Sequence, residues 1–222
     1  MFIDSANLDE IREGFSLGLL KGVTTNPSIL LKEGKRRGVI VKEILDNSEG
    51  IVFVQATGSS YEEIYADCQE ILAYGNKRIA LKIPANIPGF QVINRLKNQN
   101  NAPIILATAI FSVDQSLLCG LAGCDYIAPY VNRMANNNIN PYEVVNKTRK
   151  IYDDRGFSTK ILAASFKNTN QVVDIFTAGA HTATVSSDVL RSMASKELAS
   201  ASISGFNRDW YELQSRLEFV KE

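Results

Sequence analysis

One lysine in this sequence sits where lysines rarely go. Lys82 falls inside the apolar run Ile79, Ala80, Leu81, Ile83, which reads as a short buried strand, and a Pro-Gly-bearing loop reaching Gly89 follows at once. A lysine is almost never fully buried unless another group pairs with it or uses it. Among apolar neighbours desolvation works against the ammonium form, and the neutral amine is a nucleophile toward carbonyls, the chemistry of Schiff-base lysines. Two plainer readings stand beside this one: a side chain that snorkels to water, or one paired with Asp4.

Other polar groups gather at the ends of apolar runs. Asp4 closes the first run, and Thr24, Thr25 and Asn26 close the second. Gln55 and Thr108 end two more, Tyr130, Asn132 and Arg133 another, and Ser165 a further one, with Lys167 just past it. Singly, such residues are usual in turns; jointly they suit one polar pocket. His181 is the only histidine. A zinc site built from imidazoles needs two or three, so a histidine-built catalytic metal site is not indicated and no metal is expected. A Ser-His-Asp triad would have to use His181, and no nucleophile-elbow motif lies near it. The single histidine therefore favours the amine chemistry of Lys82.

The elements that must position these groups are legible as alternation. Eight β-type runs, 2–5, 22–25, 51–56, 78–83, 104–108, 126–131, 160–165 and 182–186, are separated by segments of helical spacing. After a Ser cap and a Glu three residues on, the segment from Ser59 places Ile64, Cys68, Ile71 and Leu72 on one face and stops at Gly75. Another has Asn140 as cap, Pro141 at its first position and Gly156 at its end. Alternating strand and helix requires parallel strands, and eight units close most naturally into a (β/α)8 TIM barrel. A doubly wound sheet would need a glycine-rich dinucleotide turn, and none is present. Barrel chemistry sits where strands end, which is where the polar groups lie.

The length suits one large domain or two small ones, and the uninterrupted alternation points to a single domain spanning 1–222. Apolar residues are 45% of 222, enough for a large core, and 24 basic residues balance 24 acidic ones. That balance argues against a nucleic-acid binder, and no charge run suggests a membrane surface. No stretch approaches the roughly 18 apolar residues of a membrane span. The start, Met1 to Glu10, lacks the basic, apolar character of a signal peptide. Cys68, Cys119 and Cys124 show no paired spacing, which fits reduced thiols and a cytoplasmic location.

Four segments carry a resemblance. Residues 22–30 (GVTTNPSIL), 80–89 (ALKIPANIPG), 128–133 (APYVNR) and 162–167 (LAASFK) resemble, in the same order, segments of the transaldolase family, in its branch of small transaldolases and fructose-6-phosphate aldolases. The resemblance implies a barrel that works through a Schiff base without metal or cofactor. Lys82 would form an iminium with C2 of a ketose phosphate. Asp4 and Asn26 would hold hydroxyls of the dihydroxyacetone part and assist proton transfer, Thr24 would support the loop, and Arg133, Ser165 and Lys167 would bind the phosphate. Gln55, Thr108 and Tyr130 resemble the aldolase pattern, in which the three hold a water and the tyrosine moves a proton. Classical transaldolases have Glu and Phe in place of the first and last. A neutral amide positions water without being a base, and a phenol can donate or accept a proton.

The implied activity is reversible cleavage of fructose 6-phosphate to dihydroxyacetone and glyceraldehyde 3-phosphate. The alternative is transfer of the dihydroxyacetone unit to an aldose phosphate, as in the pentose phosphate pathway. A more distant alternative is a sugar-phosphate-binding barrel without turnover. The segment Asn86, Ile87, Pro88, Gly89 departs from the family's Thr-x-Glu-Gly, Ser5 replaces a Thr, and Phe111 stands where the aldolase branch has Tyr. These bear on substrate preference more than on chemistry. Beyond the eight units, 205–222 places Phe206, Trp210, Leu213, Leu217 and Val220 on a narrow helical stripe. Such a stripe could dock on its own barrel. The resemblance implies that it crosses a neighbouring subunit, in a homo-oligomer of five or ten chains.

Overall fold

A computed structural model describes residues 1–218. Eight parallel strands, β1 (Phe2–Asp4), β2 (Gly22–Thr24), β3 (Ile51–Gln55), β4 (Ile79–Pro84), β5 (Ile105–Ile110), β6 (Tyr126–Pro129), β7 (Lys160–Ala163) and β8 (Thr182–Val185), follow one another round a closed barrel in which β8 pairs with β1. The helices are α1 (Leu8–Ser16), α2 (Pro27–Lys32), α3 (Arg37–Asp46), α4 (Tyr61–Leu72), α5 (Ile87–Lys97), α6 (Val113–Leu121), α7 (Val131–Ala135), α8 (Pro141–Arg155), α9 (Thr169–Thr177), α10 (Ser187–Ala194) and α11 (Glu197–Glu218). The expected TIM barrel is thus the observed one.

Local signals explain most boundaries. Ser60 and Glu63 form a reciprocal capping box at the start of α4, which satisfies two otherwise orphaned donors. Asn140 accepts from Tyr142 N and Glu143 N at the start of α8, and Gly156 ends that helix in the left-handed region at φ 66°. Strand ends differ from the sequence pattern by one or two residues, and two differences bear on the site. The strand expected over 126–131 stops at Pro129, and Val131 opens the short helix α7. The expected loop after Lys82 is the first turn of α5: Asn86 Oδ1 caps it by accepting from Gly89 N at 2.9 Å, and Pro88, lacking an N–H, costs nothing there.

Period-two alternation divides the barrel strands into two sets. Outward residues such as Ile3, Val23, Val52, Leu81, Ile105 and Ile161 pack beneath the helices in the main core. Inward residues Phe2, Phe53, Ala80, Leu106, Ala128 and Leu162 form a separate buried cluster that plugs the barrel. Its aromatic rings meet edge to face, Phe2 with Phe53 at 5.6 Å and Phe53 with Tyr126 at 5.5 Å. Full burial of one such side chain contributes about 1.5–3 kcal/mol. Two residues further along the chain from Phe2, Phe53, Ala80, Leu106 and Ala128 stand Asp4, Gln55, Lys82 and Thr108, still on their strands, and Tyr130, just past the end of β6. The plug thereby becomes the floor of whatever those polar groups form.

The terminal helix α11 starts at Glu197, eight residues before the apolar stripe suggested. Its large apolar side chains do not pack on their own barrel: Phe206 is 71% and Trp210 56% exposed, and Leu198, Ile203 and Leu213 are exposed too. The last positions of the stripe, the Leu217 side chain and Val220, lie outside what is described.

Gly89 holds the turn after β4 against the strand that carries Lys82. A Cβ there would meet the backbone oxygen of Pro84 at 1.8 Å, a clash that no rotamer can relieve. Gly89→Ala is expected to cost about 1–3 kcal/mol by overpacking, read as a lowered midpoint of urea unfolding with unchanged slope.

Candidate functional site

The strand C-termini surround a cavity of about 380 Å³ lined by Asp4, Asn26, Gln55, Lys82, Tyr130, Arg133 and Ser165, with Pro27, Ser28 and Ala164. Each residue arrives there for a local reason. Asp4, Gln55 and Lys82 are inward positions of β1, β3 and β4, and the register sets Asp4 beside Thr24 and Gln55 beside Lys82. Asn26 is the N-cap of α2, its Oδ1 accepting from Ile29 N at 3.0 Å. Tyr130 and Arg133 come from the β6–α7 junction, so the early end of β6 is what brings both to the rim.

Lys82 is 3% exposed, which rules out the snorkelling reading. Its amine donates to Thr25 O at 3.3 Å. Among the described residues it forms no ion pair with Asp4, so neither plainer reading accounts for it. Thr25 is fixed in turn: its hydroxyl donates to Phe53 O at 2.9 Å.

Asp4 is the one carboxylic acid among the described lining residues. Burial pushes its carboxyl above the usual carboxylate range, opposed by attraction to Lys82, by the Thr24 hydrogen bond and by attraction to Arg133. Thr24 Oγ1 donates to Asp4 Oδ1 at 2.6 Å and lies 2.6 Å from Thr184 Oγ1. A carboxylate is the stronger acceptor, so Thr24 spends its one proton on Asp4 and Thr184 donates to Thr24.

Tyr130 is held on three sides. Its hydroxyl and Thr108 Oγ1 are 2.8 Å apart, Phe111 meets its ring edge to face at 5.6 Å, and the Arg133 guanidinium lies 4.9 Å over its face. Backbone strain flanks this group. Ala109 (φ 60°) follows Thr108 where the β5–β6 register shifts, and Ser165 (φ 65°) follows β7. Left-handed conformations cost non-glycine residues energy and persist only where surroundings hold them. Here Asn132 N donates to Ser165 O at 2.7 Å, and Gln115 Nε2 donates to Ala109 O at 3.2 Å.

The residues expected from sequence therefore come together, with one outlier. Thr24 and Thr108 sit behind the lining, each bonded to a residue in it. Lys167 is exposed and outside the lining. Ser28, at the rim, and Thr184 were not expected from sequence. The alternation of Thr182 and Thr184 with buried Ala183 and Val185 marked one polar face on β8, but a mid-strand threonine carries no further signal.

An eight-stranded parallel barrel with a buried lysine and a carboxylate at its C-terminal mouth is the site plan of a (β/α)8 enzyme. The comparisons narrow that class. The family model described as Transaldolase/Fructose-6-phosphate aldolase matches residues 1–220. A "Probable transaldolase" of Symbiobacterium thermophilum is 33% identical over 98% of this chain and 99% of its own length. A "Probable fructose-6-phosphate aldolase" of Streptococcus pneumoniae is 36% identical over 96% of each. Among solved structures, a "putative deoxyribose-phosphate aldolase" of Coccidioides immitis shares the fold at TM-score 0.61 and 16% identity, covering 87% of this chain and 83% of that one. Flavocytochrome b2 does so at TM-score 0.60 and 10% identity, this chain spanning 86% of itself and 57% of that chain. The chain belongs to the transaldolase/fructose-6-phosphate aldolase family, and it is an enzyme.

The raised Asp4 has a consequence for stability. Between the unfolded value, near 3.8, and the raised folded value, the folded state binds more protons, so stability falls as pH rises through that window. Asp4→Asn is expected to match the parent below about pH 4 and to exceed it at pH 7, measured by denaturation at both pH values.

Proposed function

We propose that this chain is a class I aldolase that cleaves fructose 6-phosphate reversibly to dihydroxyacetone and glyceraldehyde 3-phosphate through a Schiff base on Lys82. The observation that carries this reading is the Lys82 amine, buried at the mouth of the barrel beside Asp4, with Gln55 and the Thr108–Tyr130 pair round it.

The chemistry runs as follows. The Lys82 amine attacks C2, and loss of water gives an iminium that draws electrons from C3. Removal of the C4 hydroxyl proton lets the C3–C4 bond break. Its electron pair passes into the iminium, glyceraldehyde 3-phosphate leaves, and an enamine stays on Lys82. Protonation at C3 and hydrolysis release dihydroxyacetone and restore the amine. Asp4 and Tyr130 are the groups placed to exchange protons, and the Thr184–Thr24 chain orients Asp4. Asn26 takes a hydroxyl of the dihydroxyacetone part. Arg133 and Ser165 take the phosphate, the guanidinium steered by the Tyr130 ring. Lys167 is exposed and outside the lining, and it is given no part in holding the phosphate.

A second reading is transaldolase, in which an aldose phosphate rather than water and a proton takes the enamine. It is favoured by the names of several relatives, among them the Symbiobacterium protein and one of Desulforudis audaxviator, 34% identical over 97% of this chain. Gln55 and Tyr130 favour the aldolase: an amide and a phenol can hold and protonate where a second carboxylate would act as base.

The chain is further proposed to assemble with copies of itself. The support is the exposed apolar face of α11, which is larger than scattered surface residues require. A cytoplasmic location belongs to the same reading; no helix among the described residues is long and apolar enough to cross a membrane.

Borohydride with fructose 6-phosphate should leave one mass adduct, on the peptide containing Lys82; an adduct elsewhere, or none, sinks the Schiff-base assignment. With fructose 6-phosphate alone, sustained release of glyceraldehyde 3-phosphate and free dihydroxyacetone marks the aldolase. A single equivalent per site that resumes on adding erythrose 4-phosphate marks the transaldolase. Light scattering should give several times the mass of one chain, and Phe206→Glu with Trp210→Glu should reduce it; a monomeric parent would overturn the assembly.

A further inference from the structure

The end of the barrel opposite Lys82 holds a second cavity, also of about 380 Å³, within the size range of small-molecule sites. Three bases from three elements line it. Lys21 precedes β2, Lys160 opens β7, and His181 immediately precedes β8. Its floor is apolar, formed by Phe2 and Ile51 with the Tyr126 ring, and Phe176 at the end of α9 makes a wall.

Among the described residues no carboxylate lines this cavity. Two acids of neighbouring segments are engaged elsewhere. Asp125 is paired with Lys97 and accepts from Ile105 N at 2.8 Å, and Asp153 is paired with Arg149 at 2.8 Å. Lys21 and Lys160 form no ion pair among the described residues. His181 is built into one orientation: its Nδ1 accepts from Ile161 N at 3.0 Å, so the neutral ring carries its proton on Nε2 and has a donor left over. Cations gathered without a counter-charge repel one another, and an anion between them relieves that repulsion.

We propose that this cavity binds a small phosphate-bearing anion, either a phosphate monoester or free phosphate. Lys21, Lys160 and His181 Nε2–H hold the phosphate, and the carbon skeleton of an ester lies over Phe2 and Tyr126. The site is separated from Lys82 by the aromatic plug and does not rest on the proposed aldolase activity.

The chain's only histidine makes this directly measurable, because its imidazole gives one titrating proton NMR signal. The groups facing it are Lys160 of β7 and Arg149 and Asp153 of α8. Met1 also lines the cavity, its amino group donating to Leu19 O at 3.3 Å. Burial, then Arg149 and Lys160, hold the imidazole below its ordinary value, and Asp153 opposes them. A bound dianion stabilises the imidazolium, so the titration midpoint must rise. The full-length protein is titrated with glycerol 3-phosphate, with inorganic phosphate, and with sodium chloride at matched ionic strength.

The expected result is a rise of about half a unit or more with either phosphate compound beyond the chloride control. That rise is lost in Lys21→Gln and Lys160→Gln and kept in Arg133→Ala, which disables the opposite cavity. Tighter binding of glycerol 3-phosphate identifies an ester as the ligand; equal affinity identifies free phosphate. A midpoint that moves no further than with chloride, a rise that survives both glutamine variants, or one that disappears in Arg133→Ala overturns the proposal.

Discussion

The cost of keeping one amine out of water organises this protein. Lys82 occupies an inward position of β4 between the apolar plug below and the mouth of the barrel above. Removing an ammonium group from water is expensive, so the site must supply either a partner or a use. The structure supplies one carbonyl, that of Thr25, and the field of Asp4, whose own carboxyl is raised by burial. A buried amine and a carboxyl whose surroundings oppose its charged form are thereby set in one small cavity.

What surrounds the pair is mostly restraint. Thr184 orders Thr24, which orders Asp4. Phe111, Thr108 and Arg133 order Tyr130 from three directions. Ala109 and Ser165 store backbone strain at the ends of β5 and β7, where the register shift and the start of α7 turn side chains toward the mouth. A site that does its chemistry by positioning needs such supports, because misplacement by about 1 Å can cost on the order of a hundredfold in rate.

The same alternation that fills the barrel gives its two ends different chemistry. At the strand ends the inward positions are mixed acid, amide, amine and phenol over an apolar floor. At the strand beginnings they meet bases from the preceding loops over the reverse side of that floor. The plug of Phe2, Phe53 and Tyr126 therefore supports the fold and keeps the two cavities apart.

Sequence alone determined the architecture and most of the polar end that holds Lys82. Period-two runs, capping residues and glycine stops are local signals, and they located all eight strands and caps such as Ser60 and Asn140. A charged residue in an apolar run is a local contradiction, and it singled out Lys82 without any knowledge of its neighbours. Only the tertiary structure decided what no local rule encodes. Thr184 lies 160 positions from Thr24 and meets it because β1 sits between β2 and β8 when the barrel closes. Lys167 is close to Ser165 in sequence yet outside the cavity, because the chain turns away at the strained Ser165. The Pro-Gly segment after Lys82 became a helix start because Asn86 could cap it and Gly89 could approach Pro84 O closely. Lys21, Lys160 and His181 are ordinary surface residues until closure brings their loops to one mouth. Local energetics writes the elements; which distant side chains face one another is set only when the sheet closes on itself.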